Sequence, residues 1–316
     1  MSFISTVRKS KLAFYITNSI QLAIPKFFFQ LRKNYWLQQV KKYPAKTISD
    51  RLDYYLSSEN GVLNKEAIIL KDFKRPKKDT MYFYDLAKYT KYFKTSFKVH
   101  HNFGDIENNQ ETLTIVKSRP IQHTGNSVLM KLNQLRHFKF ITDPIPFSKK
   151  KDIIAWRGAI HKENRRSLVA QYYNHPKCDI GHIKLHTGEA IWEKPFLTIE
   201  EQLENKFLLS IEGNDVATNL KWIFSSNSLC FMPTPKFETW FMEGKLIPNV
   251  HYVHIKDDYS DMLEKVEYYS KNEDEALKII KNANDWVAQF KDKKLEKIIS
   301  LLVLDKYFSV TNQQYK

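Results

Sequence analysis

A chain of 316 residues with 42% hydrophobic and 14% aromatic content can build two cores of ordinary size, which excludes a disordered polypeptide. Its two cysteines, Cys178 and Cys230, exclude a disulfide framework and read as inert thiols in a reduced compartment. The net charge of +15 is unevenly divided: residues 1–150 carry 27 Lys and Arg against 11 Asp and Glu (+16), residues 151–316 carry 23 against 24 (−1). The first half is therefore expected to meet something anionic, and the second to hold any anion by particular residues.

The most apolar N-terminal stretch, Leu12 to Leu31, is broken by Thr17, Asn18, Ser19, Gln21, Pro25, Lys26 and Gln30. It is too polar to span a bilayer, and it lacks the clean apolar core and small-residue cleavage site of a secretory signal. Arg8, Lys9, Lys11, Lys26, Arg32, Lys33, Lys41 and Lys42 alternate there with Phe14, Tyr15, Phe27, Phe28, Phe29, Tyr35 and Trp36. Two readings fit: attachment to an anionic membrane surface, or helices with solvated basic faces packed on their own domain.

Further along the first half, the apolar runs Met81–Tyr84, Phe97–Asn102, Leu113–Val116 and Phe138–Ile141 are short and broken by charge. Asn126 reads as the cap of a helix over Ser127–Phe138. The run Ser148-Lys149-Lys150-Lys151 and the change of charge put a domain boundary near residue 150. Beyond it, Asp152–Trp156 reads as a strand, Glu163–Tyr173 as a helix and Ile180–Leu185 as a strand. Thr198-Ile-Glu-Glu is a capping box opening a helix to Asn205. Lys206–Ile211 follows as a strand, Val216–Ser225 as a helix, and Ser228–Met232 and His251–Ile255 as strands, with helix from Asp258 almost to the end. Strands alternating with helices predict an α/β fold with a parallel sheet covered on both faces.

The chemistry concentrates at two strand ends, Asp152-Ile-Ile-Ala-Trp-Arg-Gly158 and Lys206-Phe-Leu-Leu-Ser-Ile-Glu-Gly-Asn-Asp215. Ligands of open parallel sheets bind at the carboxyl ends of strands. Gly158 and Gly213 are placed to admit a diphosphate, the helix predicted from Val216 aims its first amides at the same anion, and Arg157 and Lys221 add charge. The bland alternative is two tight turns with solvated charges. Cys178, His182 and His186 have a spacing compatible with zinc but no evident fourth ligand, so hydrogen-bonded or solvated side chains are the better reading. Trp192, Trp222, Trp240 and Trp286 read as core, with Trp240 kept open as a sugar platform beside the donor pocket.

The stretch Glu212-Gly-Asn-Asp-Val-Ala-Thr-Asn-Leu-Lys-Trp222, with Ser226-Asn-Ser228, Pro248-Asn-Val-His-Tyr-Val253 and Trp156-Arg-Gly158 followed by Arg165, resembles glycosyltransferase family 90, closest to its bacterial lipopolysaccharide branch. The resemblance covers roughly residues 150–290. It implies a GT-B architecture, two Rossmann-like domains with the active site in the cleft between them. Residues 1–150 would form a basic, membrane-facing acceptor domain, 151–290 the UDP-sugar domain, and 291–316 a C-terminal helical segment. It also implies an inverting hexosyltransferase that needs no metal or other cofactor. In keeping with that, the chain has no Asp-x-Asp triplet to carry a divalent cation on a diphosphate. The donor, UDP-glucose or UDP-galactose, would be held by Arg157, Gly158, Arg165, Gly213, Asn214, Thr218, Asn219 and Lys221, with Glu238 or Glu243 on the ribose. The protein-glucosylating branch often has Arg-Phe-Lys where this chain has Asn219-Leu220-Lys221, which puts more weight on Lys221. Glu212 stands where other members have Asp or Arg.

An inverting transfer needs a base for the acceptor hydroxyl, and Asp105 is the candidate. It comes after a strand in Phe97–Asn102 and Gly104 and ahead of a second strand, Leu113–Ile121, as the family's base also lies between two such strands. The alternative is a turn aspartate that caps its own loop, and His100 or His101 is the fallback base. The expected partners are the UDP-hexose, a phosphorylated glycolipid or glycan acceptor of the lipopolysaccharide core type, and the cytoplasmic face of an anionic inner membrane, with no nucleic acid. A nucleic-acid-binding protein and a non-catalytic membrane scaffold are the rival readings of the basic half, and both leave the strand-end motifs without a use.

Overall fold

The structure is a computed structural model that describes residues 3–183 and 190–313. It divides into two compact units: Met1–Arg136 with Phe237–Met242 and Phe290–Lys316, and His137–Lys236 with Glu243–Gln289. Parallel sheets carry both.

In the first unit, β1 (Ile68–Ile69) and β2 (Lys98–Val99) pair antiparallel. A small parallel sheet runs in the order β3 (His101–Asn102), β4 (Thr114–Val116), β6 (Ser127–Leu129). β5 (Ser118–Pro120) instead pairs antiparallel with Phe237–Thr239, which the chain returns to this unit. The segment expected to be helical from Ser127 begins as a strand, because Val128 and Leu129 are buried beside Ile115 and Val116. Helix is confined to Gln134–His137. The apolar run from Met81 falls within a helix, Thr80–Thr90, that buries Tyr82 through Ala87. The last helix, Lys293–Val310, is capped by the Asp292 carboxylate on the amides of Lys294 and Leu295.

The second unit holds one five-stranded sheet in the order Val253–His254, β10 (Leu229–Met232), β9 (Asn205–Leu209), β7 (Lys151–Gly158), β8 (Cys178–His182), every pair parallel. The chain runs from β7 outward to β8, then crosses back over β7 to β9 and continues in the other direction. The order therefore reverses between β7 and β9. Ile154, Trp156, Ile180, Phe207, Leu209, Phe231 and Val253 form the core with Leu168 and Val169 of helix Glu163–Tyr172 and with Val266 and Ile279 of the helices Met262–Lys271 and Glu273–Ala288. The capping box at Thr198 is present in both directions.

The lysine run near residue 150 is no linker. Lys150 is buried, donating to Asp143 at 2.8 Å and to the Leu203 carbonyl, so the second unit starts upstream of it, at His137. The helix expected from Val216 starts only at Leu220 and ends at Phe224; residues 210–219 form a loop.

Candidate active site

The strand order reverses between β7 and β9, and the carboxyl ends of the strands at such a point are the usual ligand position. The loop after Gly158 and the loop 210–219 lie there. Arg165 joins them: Nε donates to the Glu212 carbonyl at 3.0 Å, Nη2 to the Ile211 carbonyl at 2.8 Å and Nη1 to the Ala159 carbonyl at 3.2 Å. Its guanidinium also lies over the Trp156 ring, 5.6 Å from the centroid. A Cβ at Gly213 would sit 3.0 Å from Arg165 Nη2, so a side chain there would press on that guanidinium. Gly158 is glycine because a Cβ would strike the Trp156 ring at 2.4 Å. Asn219 donates to the Leu209 carbonyl at 2.8 Å and ties the far end of the loop to β9. Asn214 and Thr218 lie between these anchors, both half-buried. The sequence did not single out Ser210 at the end of β9, whose buried hydroxyl has no hydrogen-bond partner among the described residues.

Two expected cations are turned inward. Arg157 donates to the Asp179 carboxylate and carbonyl, each at 2.7 Å, and to the carbonyls of Trp156 and Pro195 at 3.0 Å, so it clamps β7 to β8. Burial pushes the Asp179 carboxyl up, but hydrogen bonding and charge from Arg157 and Lys194 outweigh it and hold the group below its ordinary value. Lys221 is wholly buried and ion-paired with Glu243, so neither the phosphate role of the lysine nor a ribose role of that glutamate fits the geometry. Without a helix at Val216, no helix amides point from that position.

Glu238 belongs to the first unit, not with the donor residues. It pairs with Arg119 Nε at 2.7 Å, accepts from the Tyr54 hydroxyl and is buried at the β5 pairing. Trp240 is a core residue of the same unit, stacked on Tyr55 at 3.9 Å with its Nε1 donating to Glu296 at 2.9 Å; it offers no face to a sugar. Glu212 accepts from the Lys236 amide at 3.2 Å. Cys178 and His182 are buried, the Cys178 sulfur 3.7 Å from His175 Nδ1, and burial pushes that thiol up to about 12. His186 lies outside the described residues, as do the side chains of Arg8 and Lys9.

A second candidate locus lies within the first unit. Asp105 follows Gly104, whose φ of +110° only glycine adopts easily, and the Asp105 carboxylate accepts from Lys117 Nζ at 2.6 Å. Lys117 is fully buried while the Asp105 side chain stays 32% exposed, so a fixed ammonium orients a carboxylate that opens to solvent. Asp105 lines a cavity of about 380 Å³ with Asp79, Thr80, Asn133 and Arg136 among its walls. The fallback bases are elsewhere engaged. His101 stacks on Phe103 at 4.0 Å and burial lowers its pKa to about 4, and His100 Nδ1 is 3.0 Å from the Thr114 hydroxyl.

A mixed α/β fold whose parallel sheet reverses its strand order is consistent with a glycosyltransferase. The profile described as Glycosyl transferase family 90 matches residues 126–309. The chain is 38% identical over 309 residues to "O-glucosyltransferase LpsA" of Dichelobacter nodosus, covering 96% of this chain and 97% of that protein. It is 25% identical over 149 residues to "Protein O-glucosyltransferase 1" of Rattus norvegicus, 45% of this chain and 38% of that one. Against "Protein O-glucosyltransferase 3" of Homo sapiens it is 35% identical over 77 residues, 24% of this chain and 15% of that one. The chain belongs to glycosyl transferase family 90 and is a hexosyltransferase.

Proposed function

We propose that the protein is an inverting, metal-independent glucosyltransferase of GT-B type that uses UDP-glucose and acts on a hydroxyl of a lipopolysaccharide core or similar glycan. The observation that carries the donor half is the reversal of strand order between β7 and β9, with Arg165 fastening the two loops at that point. The diphosphate binds against Gly213 and Asn214, with Arg165 and the hydroxyl of Thr218 as its nearest polar groups. Glucose is favoured over galactose by the names of the relatives. Independence from metal is supported by the lack of an Asp-x-Asp triplet.

On the acceptor side, Asp105 is the base. It removes the proton of the acceptor hydroxyl as that oxygen bonds to the anomeric carbon, and the anomeric C–O bond breaks with its electron pair leaving on UDP. Lys117 positions the carboxylate for this step. No helix among the described residues is long and apolar enough to cross a membrane. Contact with the cytoplasmic face of an anionic membrane is instead supported by the charge of the first half and by Leu12, Ile16, Phe27 and Phe28, all more than half exposed.

Thermal-shift titration with UDP, UDP-glucose, UDP-galactose, GDP and ATP, with and without EDTA, tests this reading. A ligand at 100 times its Kd stabilises by about 2.7 kcal/mol. The expected result is a uridine-selective shift that survives EDTA and shrinks in Gly213→Ala. A response to ATP equal to that for UDP, or one abolished by EDTA, overturns the assignment.

A further inference from the structure

We propose that the cavity beside Asp105 is built for an acidic sugar, a polyhydroxylated ring carrying a carboxylate or phosphate, and that Asn133 and Arg136 read it. This rests on Asp105 as the acceptor-side base and names the class of acceptor that the base serves.

Asn133 is only 2% exposed, yet its Oδ1 has no hydrogen-bond partner among the described residues, and it lines the cavity. A buried amide oxygen without a donor costs about 1–3 kcal/mol, and a turn of the amide towards the cavity lets a ligand hydroxyl return it. The residue is also held in place at a cost. Its φ is +52°, and the turn that sets it is fastened by the buried Asp85 carboxylate, which accepts from the Gln134 amide at 2.8 Å and from Gln134 Nε2 at 3.0 Å.

The cavity offers two kinds of partner. The Asn133 amide, once turned, and the carboxylates of Asp79 and Asp105 accept, and so suit the hydroxyls of a sugar. Arg136 donates: its side chain is exposed at the rim and has no ion-pair or hydrogen-bond partner among the described residues. Beside it opens the helix Thr80–Thr90, eleven residues long, which begins without a side-chain cap and whose first residues line the same cavity. The Arg136 guanidinium and the first turn of the helix line the same cavity and suit an anionic oxygen, while the Asp105 carboxylate suits a hydroxyl. A neutral sugar leaves Arg136 unused, and a simple inorganic anion leaves Asn133 unpaired. At about 380 Å³ the cavity is within the size of small-molecule sites, about 300–1,000 Å³.

Saturation-transfer NMR titration of the full chain with mannose, mannose 6-phosphate and glucuronate tests this, with Arg136→Ala and Asn133→Gly as variants. Glycine keeps the left-handed backbone at position 133 and removes only the side chain. At least one acid should bind about tenfold more tightly than mannose, and Arg136→Ala should erase that margin. Asn133→Gly should weaken mannose and the acids alike, by about fivefold. The preferred acid distinguishes carboxylate from phosphate. Equal binding of mannose and both acids, or acid binding indifferent to Arg136, overturns the proposal. UDP-glucose hydrolysis by the parent protein is followed in parallel. Hydrolysis without acid binding sinks this inference and spares the proposed function. Arg136-dependent acid binding in a protein that neither binds nor hydrolyses UDP-glucose does the reverse.

Discussion

Lys221 and Glu243 form an ion pair inside the second unit, with side chains 0% and 1% exposed. A lysine placed so has no path to a phosphate, and its charge is tolerable only because the carboxylate is there. Removing one partner of such a pair costs about 3–5 kcal/mol, whereas an apolar replacement of both is often neutral. Lys221→Ala should therefore shift the urea midpoint far down, and the double variant Lys221→Met with Glu243→Leu should recover most of the loss. The recovered protein should keep the uridine-dependent thermal shift. A stable Lys221→Ala that has lost only its nucleotide response would return the lysine to the donor site.

Asp105→Asn separates chemistry from binding. The amide keeps the size of the side chain and takes away the proton acceptor, so transfer to acceptor should fall by about 10²–10⁴. The uridine-dependent shift, proposed for the second unit, should not change. Comparable loss in both measurements would remove Asp105 from the role of base.

The parts of this protein that could be read in its sequence are those whose cause is local. Strands β7, β9 and β10 show as apolar runs because both faces are buried, and the capping box at Thr198 is complete within four residues. What escaped depends on distant partners. Arg157 and Lys221 look like ligands in a linear sequence because Asp179 and Glu243, which consume them, lie 22 positions away in each case. Glu238 and Trp240 look like donor-site residues because nothing nearby signals that Phe237–Met242 returns to the first unit. A strand of three residues such as β6 exists only through its pairing and leaves no periodic trace, so Ser127–Phe138 reads as helix. Asn133 was missed for a related reason: an unpaired oxygen is a property of its surroundings.

Acid should destabilise the first unit as the pH falls through the histidine range. Burial lowers the pKa of His101 and of His123 to about 4, with charge from His100 and Arg119 respectively adding to the effect. In the unfolded chain both titrate near 6.5. Above that value neither state takes the proton and the native advantage is whole; as pH falls from 6.5 towards 4 only the unfolded chain gains it, and stability drops. The melting temperature should decline across that window, and His101→Phe should flatten part of the decline. An unchanged slope in the variant would show that His101 contributes nothing to it.

The N-terminal helices present an apolar stripe that has no cover among the described residues. Leu12, Ile16 and Ile20, spaced by four on the helix Phe3–Ala23, are 62%, 51% and 61% exposed, and Phe27 and Phe28 follow on the next helix at 61% and 57%. The first half around them carries +16, which suits an interfacial position on an anionic bilayer, with apolar side chains inserted and lysines at the headgroups. Burying a leucine or phenylalanine side chain is worth about 1.5–3 kcal/mol, so replacing three of them by serine should weaken binding at least a hundredfold. Sedimentation with vesicles of 30% anionic lipid measures it on Leu12→Ser, Ile16→Ser and Phe27→Ser combined. The parent should sediment, less so as salt rises because charge contributes, and the triple variant should stay in the supernatant while its thermal response to UDP is unchanged. Sedimentation of the variant equal to the parent would mean that the basic charge alone holds the protein at the surface, and the stripe would then need another partner.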